Sequence, residues 1–195
     1  MAVPTSRAEA PGPGKSERTR ERILEAATVV VAEKGYENAT LADIAEEAGY
    51  SIGALQGHFR TKLNLVAEAA RHGLAQTVPP REGEYGVTKQ VERAVDPAEA
   101  SLRGLNLEVA VAAKHNPELA ALMRELVDER GRRLQARIEA DVEAGTIRAD
   151  LDTGLLTVVL ATLYGGLACR DAIEYPLPAS EDLVGLFETL LRPPG

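Results

Sequence analysis

The sequence has very few of the residues on which disulfide-rich secreted proteins and metal sites depend. Of its 195 residues one is a cysteine, three are histidines and none is a tryptophan, and aromatic residues make up 4%. A single cysteine excludes an intramolecular disulfide and a thiolate zinc site. With so few histidines we expect no metal site. Since the nucleophile elbow, the phosphate-binding loop and the dinucleotide fingerprint are also missing, we expect neither a cofactor nor enzymatic activity.

Long apolar runs are missing as well. The N-terminal segment lacks the apolar stretch of a secretory signal, and no uninterrupted run of 18 apolar residues occurs. We therefore expect a cytoplasmic protein with no membrane partner. Residues 1–16 contain three prolines and two glycines, and we expect them to form a disordered tail because they bury too little surface to offset their ordering entropy.

The charge is unevenly distributed along the chain. The formal net charge of −8 argues at first against a nucleic-acid partner. However, residues 1–22 and residues 49–75 each have a balance of +2, whereas residues 76–195 contain 13 basic and 20 acidic residues. The acidic excess of the C-terminal half therefore does not exclude nucleic-acid binding by the N-terminal half, although non-specific affinity should be modest.

Apolar residues recur with the period of an α-helix, and no strand-like alternation of useful length occurs. The spacing predicts a helix from Thr19 to Lys34 and short helical segments that start at Thr40, Ser51 and Thr61. Further helices are predicted over residues 97–114, 117–144, 152–171 and 180–191, after a Pro- and Gly-containing loop over residues 77–96. The predicted helix over residues 152–171 is apolar almost all round, so we expect it to be buried on two sides.

The segment TLADIAEEAGYSIGALQGHFRTK, residues 40–62, has the spacing of a helix-turn-helix. A short helix is followed by a turn at Gly49 and by a second short helix. Two glycines in that second helix cost roughly 1 kcal/mol each. Its outward positions are small or polar and uncharged, as expected for a helix that closely approaches the major groove of DNA. These positions are Ser51, Gly53, Ala54, Gln56 and Gly57.

From RERILEAA, through AEKGYENATLADIAEEAGYSIGAL, to the HF-x-x-K ending at Lys62, the sequence resembles the tetracycline-repressor-like (TetR) family of bacterial transcriptional regulators. The resemblance implies an all-α protein with an N-terminal three-helix DNA-binding domain. It also implies that a fourth helix leads into a larger helical domain for ligand binding and dimerisation. We therefore expect a DNA-binding domain over residues 17–62 and an effector-binding and dimerisation domain over residues 63–195.

The resemblance also assigns DNA contacts. Thr40 matches the threonine that caps the second helix and touches a phosphate, and residues 51–54 match the base-contacting turn of the recognition helix. His58 and Lys62 match residues at the DNA backbone. Leu63 and Gln56 replace the usual glutamate and tyrosine, and Gln56 can read adenine or bond a phosphate. The predicted DNA-binding residues are Thr40, Ser51, Ile52, Gly53, Ala54, Gln56, His58 and Lys62.

Two of these assignments have an alternative that the sequence leaves open. Ile52 either faces a thymine methyl group or lies in the protein core. His58 either contacts DNA or packs against Phe59 and bonds a backbone group.

Polar residues within or beside the apolar stretches of the C-terminal half are candidates for an effector pocket between its helices. Taken singly, each is more often an ordinary core or surface residue. The candidates are Arg103, Asn106, His115, Met123, Tyr164 and Cys169.

The last two helices raise the question of dimerisation. The resemblance implies that they pair with their two-fold mates in a four-helix bundle; the alternative is that both fill the core of one chain. A palindromic operator requires two recognition helices about one DNA turn apart, which favours the dimer. The expected interface residues are Leu163, Gly165, Gly166, Leu183, Phe187 and Leu190.

Together these features predict a dimeric transcriptional repressor that leaves a palindromic operator when a small, largely apolar molecule binds. A helical carrier or enzyme on the same fold that no longer binds DNA is the alternative, favoured by Gln56 and by the two glycines of the recognition helix. An activator or a constitutive DNA binder without an effector is a second alternative.

Overall fold

The computed structural model describes residues 14–76 and 86–193, and this part of the chain contains nine α-helices, one 3₁₀ turn and no strand. The predicted all-α class is confirmed. Residues 1–13 of the predicted tail lie outside the described residues, and its last two residues, Lys15 and Ser16, are the first two of α1. The helices are α1 (Lys15–Lys34), α2 (Leu41–Ala48), α3 (Ile52–His58), α4 (Lys62–Gln76), α5 (Gly86–Ala94), α6 (Ala100–Ala113), α7 (Pro117–Glu143), α8 (Thr153–Ala172) and α9 (Ser180–Leu191), with the 3₁₀ turn at Pro97–Glu99.

Helix α5 occupies part of the segment predicted to be a loop. Val87, Val91 and Ala94 are buried at helical spacing, and the Asp141 carboxylate of α7 accepts a hydrogen bond from the Val87 N–H at 2.9 Å. The start of α5 is thus satisfied by a residue more than fifty positions away, which local sequence signals cannot reveal. The rest of the predicted loop, residues 77–85, lies outside the described residues.

The largest apolar core joins the two predicted domains. Ile23, Leu55 and Leu65 from the N-terminal helices are completely buried in the same cluster as Leu105 of α6 and Leu119 of α7. The predicted border near residue 62 therefore does not separate two cores, and α1 and α4 rest directly on the C-terminal half.

Two smaller clusters complete the C-terminal half. One joins α5, α7, α8 and α9 around Ile138, which is completely buried. The other surrounds Tyr164 of α8 and includes Ala94, Val95 and Leu167. Phe187 of α9 belongs to the first of these clusters and is 8% exposed, so it packs inside its own chain, and its predicted place in a dimer interface stays a prediction.

Helix α8 is buried on one side only within the chain, so the expected two-sided burial would require a partner on its other side. Thr157, Leu160 and Tyr164 face the interior, whereas Leu155 and Val158 are 63% and 59% exposed. By length and composition alone α8, with a mean hydropathy of 1.4, is apolar enough to cross a membrane, a property shared by interior and interface helices of soluble proteins.

Candidate nucleic-acid interface

The first helix of the predicted DNA-binding unit begins with a reciprocal cap. The Thr40 hydroxyl accepts a hydrogen bond from the Asp43 N–H at 3.1 Å, and the Asp43 carboxylate accepts from the Thr40 N–H at 2.9 Å. Lys34 of α1 donates to the same carboxylate at 2.8 Å. Hydrogen bonds from Lys34 and Thr40 lower the pKa of Asp43 to about 2. The start of α2 is therefore held to the end of α1 by a charge-assisted network.

The cap engages both hydrogen-bond donors of Thr40, the residue predicted to touch a phosphate. Besides the bond from its N–H, Thr40 donates its hydroxyl proton to Asp43 at 2.6 Å. Both donors of the exposed Thr40 are thus directed at Asp43 in this conformation, and its phosphate contact stays a prediction.

The turn between α2 and α3 is a left-handed glycine turn. Gly49 has φ 72° and ψ 31°, and its N–H donates to the carbonyl groups of Ala45 and Glu46. Ile44 and Leu55, both completely buried, and Phe59, 2% exposed, hold the two helices together from the inside. The crossing of α2 and α3 is therefore fixed by packing on one face, which leaves the other face of α3 exposed.

The outer face of α3 is exposed and uncharged. Ser51 caps the helix by accepting a hydrogen bond from the Ala54 N–H at 3.2 Å. Ile52 is 47% exposed, so the structure decides between its two sequence interpretations and places it on the outer face. The residues exposed together on this face are Ser51, Ile52, Gly53, Ala54, Gln56 and Gly57.

The two glycines of α3 are not required by the packing of the protein itself. A Cβ atom added at Gly57 would meet nothing within 4 Å, and one added at Gly53 would meet only the Ser51 hydroxyl oxygen at 3.9 Å. Neither glycine has a positive φ. A helical glycine is destabilising, and nothing within the described part of the chain demands one at either position.

His58 and Lys62, both predicted to lie at the DNA backbone, make intramolecular contacts. The ring centroids of His58 and Phe59 are 6.3 Å apart, in agreement with the packing alternative for His58. The Lys62 ammonium donates to the carbonyl oxygens of Tyr36, Glu37 and Ala39 at 2.6, 3.2 and 3.0 Å. Lys62 therefore closes the α1–α2 turn, and its predicted phosphate contact would compete with these bonds.

The sequence interpretation missed cations on α1. The exposed Arg22 guanidinium lies over the Tyr50 ring at 5.6 Å from its centroid, beside the α2–α3 turn. Lys15 and Arg18 are also exposed on α1. Their spacing of three and seven residues places these cations on one face of a helix, a signal that was present in the sequence.

Of the six residues predicted to line an effector pocket, the structure brings only some together. His115 and Cys169 are exposed and therefore line no interior site, and Met123 packs against the largest core. Arg103 is completely buried, but it donates to Asp171 at 2.5 Å and to the carbonyl groups of Ala94 and Asp96. Asn106 and Tyr164 do lie together between α6 and α8, since a hydrogen bond from Asn106 acts on the Tyr164 hydroxyl.

Metal-ligating clusters are not seen in residues 14–76 and 86–193: no group of three His, Cys, Asp or Glu side chains there is arranged to hold an ion.

A two-helix unit with a fixed crossing, a small uncharged outer face and cations at its border defines a helix-turn-helix DNA-binding protein. Comparison with known proteins agrees. Residues 23–69 match the family described as bacterial regulatory proteins, tetR family. The HTH-type transcriptional repressor AcnR of Corynebacterium jeikeium is 31% identical over 183 residues, which cover 89% of this chain and 92% of that protein. The chain belongs to the tetR family and is a transcriptional regulator.

Solved structures share the whole fold. A TetR-family regulator from Rhodococcus sp. superimposes with a TM-score of 0.75 at 22% identity, over 89% of this chain and 98% of that chain. The transcriptional regulator FadR from Bacillus subtilis, in complex with stearoyl-CoA, superimposes with a TM-score of 0.65 at 18% identity, over 87% and 97% of the two chains. These likenesses extend the fold assignment to the C-terminal half, which the family match does not cover.

Proposed function

We propose that the protein is a cytoplasmic homodimeric repressor that binds a palindromic operator and is released by a small-molecule effector. Each α3 would enter the major groove of one half-site. The observation that supports this most directly is the outer face of α3, where two glycines that internal packing does not require lie beside exposed Ile52 and Gln56.

The dimer is supported by the outer face of α8. Leu155, Val158 and Val159 are 63%, 59% and 48% exposed and follow one another at helical spacing, and Leu190 of α9 is 55% exposed. A contiguous apolar surface of this kind is typical of a protein–protein interface. A Cβ atom added at Gly165 or Gly166 would meet nothing within the chain, so both positions are open to a partner backbone.

Regulation by an effector is supported by Asn106 and Tyr164, which lie together between α6 and α8. It is also supported by FadR from Bacillus subtilis, which shares the fold and was solved in complex with stearoyl-CoA. An effector that binds one arrangement of the dimer more tightly than another shifts the population toward it. Release of DNA then requires no covalent chemistry, only a difference in the spacing of the two α3 helices.

The test is a gel-shift titration with DNA from upstream of the protein's own gene, at low and at physiological salt. We expect a specific complex with wild-type protein. Ala54→Asp, which places a negative charge on the outer face of α3, should abolish it, whereas Ala121→Asp on the exposed face of α7 should not. Absence of any complex with the wild-type protein at low salt would overturn the proposal and favour a carrier or an enzyme.

A further inference from the structure

Three arginines lie close together in the C-terminal half, and two of them have carboxylate partners. The completely buried Arg103 pairs with Asp171 at 2.5 Å. Arg93 pairs with Glu99. The third, Arg130 of α7, forms an ion pair with no carboxylate in the described part of the chain.

Arg130 is held in place by an aromatic ring. Its guanidinium carbon lies 3.7 Å from the centroid of the Tyr164 ring, and Tyr164 is 9% exposed. Stacking of this kind uses the flat face of the guanidinium group, while the N–H donors point outward in its plane. Tyr164 therefore orients Arg130 through its ring and through a side-chain hydrogen bond, and no carboxylate of the described chain pairs with the guanidinium group.

The surroundings of Arg130 destabilise its positive charge more than they stabilise it. Burial lowers the pKa of Arg130, and the adjacent Tyr164 acts in the opposite direction. Glu99 attracts the guanidinium, but Glu99 is paired with Arg93, whose positive charge repels it. A partly buried cation without its own counter-ion is destabilising, so the site is electrostatically suited to an anion.

We propose that the effector contains an anionic group, a carboxylate or a phosphate, which binds the edge of Arg130 with two parallel hydrogen bonds. The apolar part of the effector lies against the cluster around Tyr164, which includes Ala94, Val95 and Leu167. This inference rests on the proposed function, since it names the chemical class of the effector. It also changes the sequence expectation: a largely apolar effector gains a charged head, and Arg130, which is not one of the six candidates from the sequence, recognises it.

The first experiment needs no ligand. Arg130→Met keeps an unbranched apolar side chain about as long as the aliphatic part of arginine and removes the uncompensated charge. The melting temperature in a zwitterionic buffer of low salt should therefore be equal to or higher than that of the wild type. Arg103→Met is the matched contrast, because it leaves Asp171 and two carbonyl groups without their donor, and it should melt lower. A loss with Arg130→Met as large as that with Arg103→Met would show a purely structural arginine and overturn the proposal.

The second experiment compares probes that differ only in charge. Octanoate and octyl phosphate should raise the melting temperature of the wild type and bind by calorimetry, and octanamide should bind at least tenfold more weakly. Arg130→Met should reduce the affinity for both anions at least tenfold, and the exposed control Arg132→Met should leave it unchanged. The relative affinities of the two anions identify which head group fits.

Equal binding of octanoate and octanamide, or no binding of either anion to the wild type, would overturn the proposal. Operator binding is measured in parallel. If wild type and Arg130→Met both bind operator DNA but neither anion releases it, the repressor assignment stands and the anionic effector is wrong. If neither protein binds DNA while the anions still bind through Arg130, the DNA-binding function fails and the anion site stands.

Discussion

Helices α3 and α8 both present uncharged surfaces to solvent, but the two surfaces differ in the size of their side chains. The outer face of α3 is made of small residues together with Ile52 and the polar Gln56. The outer face of α8 presents Leu155, Val158 and Val159, followed by two adjacent glycines. A surface of small side chains allows a helix to approach closely a partner of fixed shape, such as the major groove of DNA. A surface with bulky apolar groups requires another protein surface to cover it.

The comparison also separates two uses of glycine. In α3 the glycines lie on the face that we propose enters the DNA groove, and in α8 they follow the exposed bulky residues of the proposed dimer face. The packing of the single chain requires neither pair, since a Cβ atom at Gly57, Gly165 or Gly166 would be free of contacts.

The largest effect is expected from a charge on the α8 face. Val158→Asp should convert the dimer to a monomer, measured by light scattering, and should lower operator affinity about a hundredfold or more because the avidity of two linked half-sites is lost. Val111→Asp, at a 60% exposed valine of α6, is the control and should remain dimeric. An unchanged mass for Val158→Asp would show that α8 is not the interface.

The next effect concerns the α3 face. Gly57→Leu should stabilise the protein by up to about 1 kcal/mol because a glycine is replaced in a helix. It should nevertheless weaken operator binding about tenfold or more, equivalent to about 1.4 kcal/mol, because the leucine occupies space at the groove. Gly131→Leu in α7, where a Cβ atom also meets nothing within 4 Å, should give a similar stabilisation with no change in operator binding. Equal operator binding by the two variants would contradict a DNA-facing α3.

A smaller effect tests the cation beside α3. Lys62→Met removes the bonds to three carbonyl groups and should lower stability by about 2 kcal/mol, measured by urea unfolding. If Lys62 acts through these carbonyl bonds and not through a phosphate, Lys62→Met will leave the slope of log operator affinity against log salt concentration unchanged. The exposed Arg60→Met should instead leave stability unchanged and reduce that slope by about one unit. A slope reduced by Lys62→Met without loss of stability would restore the phosphate contact expected from the sequence.

The smallest effect is a pH dependence at the start of α2. The pKa of Asp43 is about 2 in the folded protein, below its ordinary value of 3.8. Because the pKa is lowered by folding, the stabilisation from Asp43 is fully present above about pH 4 and is lost as the pH falls toward 2. The difference in urea midpoint between wild type and Asp43→Asn should therefore shrink from pH 5 to pH 2; a constant difference would show that the carboxylate charge is not what stabilises the cap.

Local signals predicted most of the helices and the DNA-binding unit. The cap at Thr40, the turn at Gly49 and the cap at Ser51 depend on residues within a few positions, and the structure has all three where they were expected. The predicted limits of α9 also agree, although Ala179 takes the capping position and makes no side-chain cap. Helix α5 was missed because the N–H of Val87 in its first turn is satisfied by Asp141, far along the chain.

In the candidate sites, too, features that depend on nearby residues were predictable and contacts between distant residues were not. The exposed face of α3 was predictable because helical spacing relates its residues directly. The pairing of Lys62 with three carbonyl groups, the burial of Phe187 and the stacking of Arg130 on Tyr164 each join residues from different helices. Such contacts depend on how the helices pack, which sequence spacing does not specify.

The sequence by itself determined the helical class, the helix-turn-helix and the uncharged character of its outer face, because caps, turns and amphipathic spacing act over a few residues. The tertiary structure decided that Ile52 faces outward, that α8 has one side uncovered, and that the half-buried Arg130 lies over Tyr164 without a carboxylate partner in the described chain. The physical reason is that burial and charge compensation are properties of a side chain's neighbours in space, and most of those neighbours are distant in sequence.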